Sequence, residues 1–435
     1  MDTGQRIWNP AMECMARPEL AALQADRLRA TAQHAYDNVE LIRKRMDAAG
    51  VKPAHIRDAA DVALLPFTEK ADLRDHYPFG LFAVPMDQIV RLHATSGTTG
   101  KPTVTGYTRE DLDNWTEMMA RTITAGGAGA GDIIQIAYGY GMFTGGLGVH
   151  QGATRVGAAV TPTSSGNTER QIVFMRDFGT TMLACTPSYA LHIGETIREL
   201  GIPLSEFKLK YGIFGAEPWT AEMRAAIERL LGVRAIDIFG MAEICGPGVA
   251  SECFAQDGMH VAEDHVIAEI IDQATGRPLP YGQSGELVLT AITKRGMPMI
   301  RYRTHDIATL NPKPCVCGRT HLRITRLTGR TDDMMIIRGV NVFPSQIEAV
   351  LVGISGVAPH YMLVVGREGA LDTLEVQVEV TESMFSDEVR RLEALQREIS
   401  ARILSVVGVS ARVRLVGPRQ IARSEGKAKR VQDNR

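Results

Sequence analysis

Thr95-Ser96-Gly97-Thr98-Thr99-Gly100-Lys101-Pro102 is the stretch on which the fold is decided. It gathers hydroxyls, glycines and one lysine into a loop that can wrap backbone N–H and side-chain O–H donors around a polyphosphate. Glycine lets the chain approach phosphate oxygens without a Cβ in the way, and consecutive amides form an anion-binding concavity. A Walker A loop would need glycine at position 95 and Ser or Thr at position 102; Thr95 and Pro102 stand there instead. The same composition also suits a plain surface turn. What lies downstream must choose.

The bulk numbers set the frame. A chain of 435 residues is long enough for two or three domains. Hydrophobic residues at 45% and charged residues at 23% are those of a globular protein in water. A formal charge of −2 gives no global pull toward nucleic acid or anionic lipid. The opening MDTGQRIWNP lacks the basic and apolar stretches of a secretory signal, and the run from Ile133 to Val160 is broken by glycines, His150, Gln151 and Arg155. Six cysteines do not make a disulfide scaffold. A soluble cytoplasmic protein with no membrane or nucleic-acid partner is expected.

Residues 19–48, with Leu20, Leu23 and Leu28 at helical spacing, predict a helical opening segment. Strands are expected at Ile133–Ala137, Arg155–Val160, Thr181–Cys185, Tyr211–Phe214 and Ala235–Phe239, with helices at 168–178, 187–200 and 219–231 between them. That alternation predicts an α/β layered domain with a largely parallel sheet. From about 264 strand follows strand (His265–Asp272, Gly285–Ala291, Asp306–Leu310), which predicts a β-rich subdomain. Beyond a polar, glycine-containing bridge at 328–333 come a helix after Pro344, strands at Tyr361–Val365 and Leu374–Val380, a helix at 386–406 and a strand at Ala411–Val416. The division expected is an N-terminal domain over 1–328 and a small α+β domain over 329–435.

Six motifs then occur in order: the 95–102 loop; Gly215-Ala216-Glu217-Pro218; Asp237-Ile238-Phe239-Gly240-Met241-Ala242-Glu243; Tyr302-Arg303-Thr304-His305-Asp306; Gly329-Arg330-Thr331-Asp332; and Glu425-Gly426-Lys427. This series resembles the adenylate-forming, acyl-CoA synthetase-like enzymes. Its wording, with GAEPW, IIRGVNVFPSQIE and the terminal GK, is similar to the phenylacetate–CoA ligases from about residue 5 to the end of the chain.

The resemblance implies a large AMP-binding domain followed by a small mobile one, with ATP, Mg²⁺ and coenzyme A as cosubstrates. It places Ser96, Gly97, Thr98, Thr99, Gly100 and Lys101 at the phosphates and Gly215, Ala216, Glu217 and Pro218 at the adenine. An apolar strand precedes GAEP, so that motif stands where open α/β sheets bind ligands. Asp237, Phe239, Gly240, Met241 and Ala242 line the nucleotide, and Glu243 holds Mg²⁺, as suits a hard oxygen ligand. Asp306 accepts from the ribose hydroxyls, with Arg330 at the same sugar; the competing role for Asp306 is a salt bridge to Arg301 or Arg303.

Lys427 is the expected catalytic residue. A carboxylate attacking the α-phosphate meets another anion, and a point cation there stabilises charge gathered in the in-line transition state. Asp332 matches the family hinge, about which the small domain turns between half-reactions. Ile337-Arg338-Gly339-Val340-Asn341 resembles the segment that approaches the pantetheine arm; it reads equally as a strand and turn.

Tyr138-Gly139-Tyr140-Gly141-Met142-Phe143-Thr144-Gly145-Gly146 mixes rings with glycines and would leave a flat slot for an aryl group, with Tyr138, Phe143 and Gly145 against it. Rings of this kind also pack ordinary cores. Finally, Cys253, His260, Cys315 and Cys317 can compose a Cys₃His structural Zn²⁺ site, against buried free thiols as the other reading. The expected activity is ATP-dependent ligation of an aryl acid to CoA through an acyl-adenylate, phenylacetate first, then indoleacetate or aminobenzoate. A non-CoA acceptor and a non-catalytic nucleotide-binding protein are the alternatives, and family analogy implies a homodimer.

Overall fold

The computed structural model describes residues 7–95, 102–325, 327, 329–330, 335–338, 340–352, 354–368, 371–381, 384, 389–424 and 430–435. They gather into two compact units. The first takes in Met1–Cys185, Ser205–Ala216 and Arg234–Leu327; the second takes in Thr186–Leu204, Glu217–Val233 and Thr328–Arg435.

After a short helix at Pro10–Glu13, the first unit has two helices, Arg17–Asn38 and Glu40–Ala48, where the sequence predicted one segment. Val39 between them is extended, with φ −115°. Strands β1 (Arg91–Ala94) and β2 (Val104–Tyr107) form an antiparallel pair. Then follow β3 (Ile133–Ile136), β4 (Ala159–Thr161), β5 (Met182–Cys185), β6 (Tyr211–Gly215), β7 (Arg234–Met241), β8 (Gly246–Ser251) and β9 (Met259–Val261). After these come β10 (Val266–Ile271), β11 (Gly285–Ala291), β12 (Tyr302–Ala308), β13 (Leu310–Asn311) and β14 (Arg323–Ile324).

One sheet runs in the order β13-β14-β9-β8-β7-β6-β5-β3-β4. From β4 to β7 the pairing is parallel, and from β7 to β13 it is antiparallel. All four residues of β5 are buried, the pattern of a parallel strand covered on both faces. A second sheet pairs β10, β11 and β12 antiparallel, which is the β-rich subdomain expected from residue 264 onward.

The strand predicted over Arg155–Val160 is corrected. Helix Thr144–Arg155 occupies its start, and the strand is Ala159–Thr161. That helix is glycine-rich because it packs closely on helix Arg109–Ala125: a Cβ on Gly148 would stand 2.4 Å from the Trp115 ring, and one on Gly152 would stand 2.5 Å from Met119 Cβ. Such small residues depress helical propensity locally, so the segment did not read as a helix.

In the second unit, β15 (Gly329–Arg330) and the hairpin β16 (Met335–Ile337) and β17 (Val340–Val342) precede β18 (Val357–Glu368), β19 (Leu371–Val380), β20 (Arg412–Val416) and β21 (Val431–Asp433). The last four form a sheet in the order β20-β19-β18-β21. Helices Pro344–Val352 and Val389–Val407 close a core that includes Ile347, Leu351, Leu363, Val376, Ile399 and Ile403. Helices Pro187–Glu199 and Ala221–Leu231 pack on each other in this unit, each started by a threonine cap, Thr186 and Thr220. No described helix is long and apolar enough to cross a membrane.

Candidate functional site

The glycine-rich loop is held at its feet. Ala94 pairs with Val104, the Thr95 N–H donates to the Thr103 carbonyl at 3.0 Å, and the two threonine hydroxyls meet at 2.6 Å. Ser96, Gly97, Thr98, Thr99, Gly100 and Lys101 themselves lie outside the described residues, as do Asp332 and Lys427. For Arg330 the backbone in β15 is described and the side chain is not.

The exit of that loop meets the DIFGMAE motif. Asp237, Phe239, Gly240 and Met241 lie on β7, and Ala242 and Glu243 form the turn into β8. Glu243 is 6% exposed, and Thr103 Oγ1 stands 3.5 Å from its Oε1. No arginine or lysine forms an ion pair with this buried carboxylate among the described residues. Burying a carboxylate without a cation is costly, and a buried oxygen anion left in this condition is what a hard metal ion requires.

Two groups hold the turn. Tyr107 Oη donates to the Ala242 carbonyl at 2.6 Å. Lys294 Nζ donates to Thr105 Oγ1 at 2.8 Å, to the Glu243 carbonyl at 2.9 Å and to the Ala242 carbonyl at 3.3 Å. It also sits 4.4 Å from the centre of the Tyr107 ring, which stacks on Trp115. Burial pushes the Lys294 ammonium down to about 8. Sequence reading missed Lys294 and Tyr107, because neither lies in a motif and only burial distinguishes them from surface residues.

β6 and β7 run parallel, with Gly215 opposite Ile238, so Gly215 and Ala216 stand at the carboxyl end of β6 beside DIFGMAE. Ala216 there has φ +72°, a left-handed backbone that an alanine adopts only under constraint. Glu217 and Pro218 fall in the second unit, where the Glu217 carboxylate accepts the Ser188 N–H at 2.7 Å, in the first turn of helix Pro187–Glu199.

Asp306 stands on β12, 4% exposed, its N–H on Thr304 Oγ1 at 3.0 Å. The neighbouring arginines are committed elsewhere: Arg301 is bidentate on Glu269 (3.0 and 3.0 Å) and Arg303 on Glu286 (3.0 and 2.6 Å). This removes the salt bridge to Arg301 or Arg303 as the role of Asp306.

Tyr138, Phe143 and Gly145 come together. A Cβ on Gly145 would lie 2.5 Å from the Phe143 ring and 3.4 Å from the Tyr138 ring. Tyr138 is buried while Phe143 is 47% exposed, so this segment has one ring in the core and one at a surface. The Met142 carbonyl accepts the Ala94 N–H at 3.2 Å and bonds His93 Nδ1 at 2.9 Å, tying the segment to the strand that enters the glycine-rich loop.

In the second unit the segment around Lys427 is flanked by anchored residues. Arg423 is bidentate on Glu379 at 2.7 Å for both contacts, and Arg430 lies over the Tyr361 ring at 4.6 Å just before β21. Arg338, at φ +51°, bonds the Asp372 carbonyl at 3.0 Å and Ser410 Oγ at 2.7 Å.

At the antiparallel end of the large sheet, Cys253 follows β8, His260 lies on β9, and Cys315 and Cys317 lie between β13 and β14. Their ligand atoms all fall within 4.8 Å of one another. Cys253 Sγ and Cys315 Sγ are 3.7 Å apart; Cys317 Sγ and His260 Nε2 are 3.4 Å apart. Tetrahedral Zn²⁺ with ordinary bond lengths would separate two sulfurs by about 3.8 Å and a sulfur and a nitrogen by about 3.6 Å. The hydrogen bond between Cys253 and Cys317 holds the Cys317 thiol well below the ordinary range and the Cys253 thiol well above it.

The profile described as AMP-binding enzyme matches residues 16–293, and that described as AMP-binding enzyme C-terminal domain matches 339–435. The chain is 48% identical to a phenylacetate-coenzyme A ligase of Thermus thermophilus, covering 99% of this chain and 100% of that protein. It is 50% identical to one of Escherichia coli, covering 98% and 97% respectively. Among solved structures, 2-hydroxyisobutyryl-CoA ligase in the postadenylation state with 2-HIB-AMP matches at TM-score 0.93 and 32% identity, over 100% of this chain and 94% of that one. With this fold and this near end-to-end likeness, the chain belongs to the AMP-binding enzymes, in the phenylacetate-coenzyme A ligase family.

Proposed function

We propose that this chain activates phenylacetate with ATP and passes the acyl group to coenzyme A. In the first half-reaction the carboxylate oxygen attacks the α-phosphorus of ATP, pyrophosphate leaves, and an acyl-adenylate forms. In the second, the CoA thiol attacks the acyl carbon and AMP leaves. The observation that carries this reading is the meeting of the loop's exit with Glu243, a buried carboxylate with no ion pair among the described residues, in a chain so close to phenylacetate-coenzyme A ligases.

Each residue then has a task. Ser96–Lys101 would hold the β- and γ-phosphates, and Glu243 would hold Mg²⁺, which would supply positive charge to the phosphates. Gly215–Pro218 and Asp237–Ala242 line the base, and Asp306 and Arg330 bind the ribose. Lys427 neutralises the charge gathered at the α-phosphate, the largest single contribution expected from one side chain. Asp332 is the hinge between an N-terminal domain over 1–328 and a small domain over 329–435. Tyr138, Phe143 and Gly145 shape the aryl slot. Cys253, His260, Cys315 and Cys317 would hold Zn²⁺ in a structural role, tying together the segments that carry them. The enzyme is cytoplasmic and homodimeric, and sedimentation of the purified chain tests the dimer.

Pyrophosphate release measured across phenylacetate, indoleacetate, aminobenzoate, benzoate and short aliphatic acids tests the assignment. Phenylacetate is expected to give the highest kcat/KM. A higher value with another acid replaces phenylacetate, and release with none of them overturns the activity.

A further inference from the structure

We infer that Lys294 is a positioning residue for the Mg²⁺-binding carboxylate, fixing the Ala242–Glu243 turn and the strand leaving the glycine-rich loop as one unit. The inference rests on the reading of Glu243 as the Mg²⁺ ligand.

Lys294 is 2% exposed. An ammonium has three N–H donors, and here each has an oxygen acceptor: Thr105 Oγ1 and the carbonyls of Ala242 and Glu243. None of the three carries a charge. Other deeply buried cations of this unit are matched by carboxylates: Arg301 by Glu269, Arg121 by Asp264, Arg319 by Glu13 and Arg323 by Asp257. A cation buried on neutral oxygens is expensive, and an apolar chain of similar volume would occupy the space without that expense. Its contribution must therefore lie in what its donors hold.

They hold two segments far apart in sequence. Thr105 is on β2, two residues after Thr103, whose hydroxyl stands 3.5 Å from Glu243 Oε1. The two carbonyls belong to the turn that carries the Glu243 side chain. Lys294 is itself clamped on both sides. The Arg295 and Gly296 N–H groups donate to Asp111 at 2.6 and 2.9 Å, and Asp111 also accepts the Thr108 N–H at 2.9 Å. Thr293 Oγ1 bonds His265 Nδ1 at 2.9 Å. The ammonium is thus a fixed peg between the two segments, the arrangement that holds a binding group in its productive geometry before the ligand arrives.

The test measures pyrophosphate release by the full chain with phenylacetate and ATP as MgCl₂ is varied. Lys294→Met is expected to raise the apparent Mg²⁺ requirement about tenfold and lower kcat, with the KM for phenylacetate unchanged. Thr105→Val, which removes one acceptor and keeps the fold, is expected to shift the same curve in the same direction by about two- to threefold. A folded Lys294→Met protein with a lowered melting temperature and an unchanged Mg²⁺ curve overturns the inference. Should Lys294→Met not fold, an unchanged curve for Thr105→Val overturns it. Glu243→Gln is the reference: if it leaves the Mg²⁺ curve unmoved, the Glu243 reading fails and this inference with it. A shift for Glu243→Gln without one for Lys294→Met defeats the Lys294 role alone.

Discussion

The turn at Glu243 and the Cys/His cluster lie on the same nine-stranded sheet and are built in opposite ways. Around the cluster, charges are consumed. Arg319 binds Glu13 at 2.6 Å, Arg323 binds Asp257, Arg121 is bidentate on Asp264, and Thr320 Oγ1 donates to the Met15 carbonyl at 2.6 Å. Loop and opening segment are stapled together, and the ligand atoms of the four Cys and His side chains converge within 4.8 Å of one another. Around Glu243 the backbone is held by Tyr107 and Lys294, while the carboxylate forms no ion pair among the described residues. The charges around the cluster are paired within the chain, whereas the turn at Glu243 is fixed through its backbone and leaves the carboxylate without an ion pair among the described residues.

The widest test of that contrast is Lys427→Ala. On the proposed role of this lysine, losing its charge should slow pyrophosphate release about 10²- to 10³-fold. CoA thioester formation from supplied phenylacetyl-adenylate should hold near its original rate. Equal losses in both half-reactions would refute the assigned role.

Cys317→Ser addresses the closed end. It should abolish bound zinc, measured by atomic absorption on protein purified without added metal, and destabilise the fold by about 3 kcal/mol or more. The KM values should stay as they were. A native protein containing no zinc, with an unaltered melting curve in the variant, would reduce the cluster to buried thiols.

Gly145→Val adds bulk where a Cβ already meets the Phe143 ring at 2.5 Å. Overpacking of this kind costs about 1–3 kcal/mol. It should appear as about a tenfold rise in KM for phenylacetate with the KM for CoA steady. An unchanged aryl-acid KM would move the slot elsewhere.

The smallest effect concerns pH. Burial lowers His265 from 6.5 to about 4, and Asp264 beside it is lowered through His265 and Arg121 against the opposing effect of burial. With the folded value depressed, the unfolded chain binds more protons between these two pH values. Stability is therefore full above pH 6.5 and declines as pH falls toward 4. The melting temperature of His265→Gln should decline less steeply over that interval; equal slopes would dismiss His265 as the source.

Much of this was legible along the chain. β11 was predicted at its observed bounds, Gly285–Ala291, and the strand–helix alternation gave the parallel half of the large sheet. The six motifs gave the family, because each is a local string whose glycines, hydroxyls and carboxylates have to stand in fixed order to meet one nucleotide. The residues of the Cys/His cluster could be singled out by chemistry alone. The tertiary structure decided their convergence, since a separation of 62 residues between Cys253 and Cys315 says nothing about a gap of 3.7 Å. It also decided that Arg301 and Arg303 belong to Glu269 and Glu286 rather than to Asp306. Lys294 is the clearest case. In sequence it is one lysine among many; its meaning comes from losing water on every side, which only the packed chain imposes.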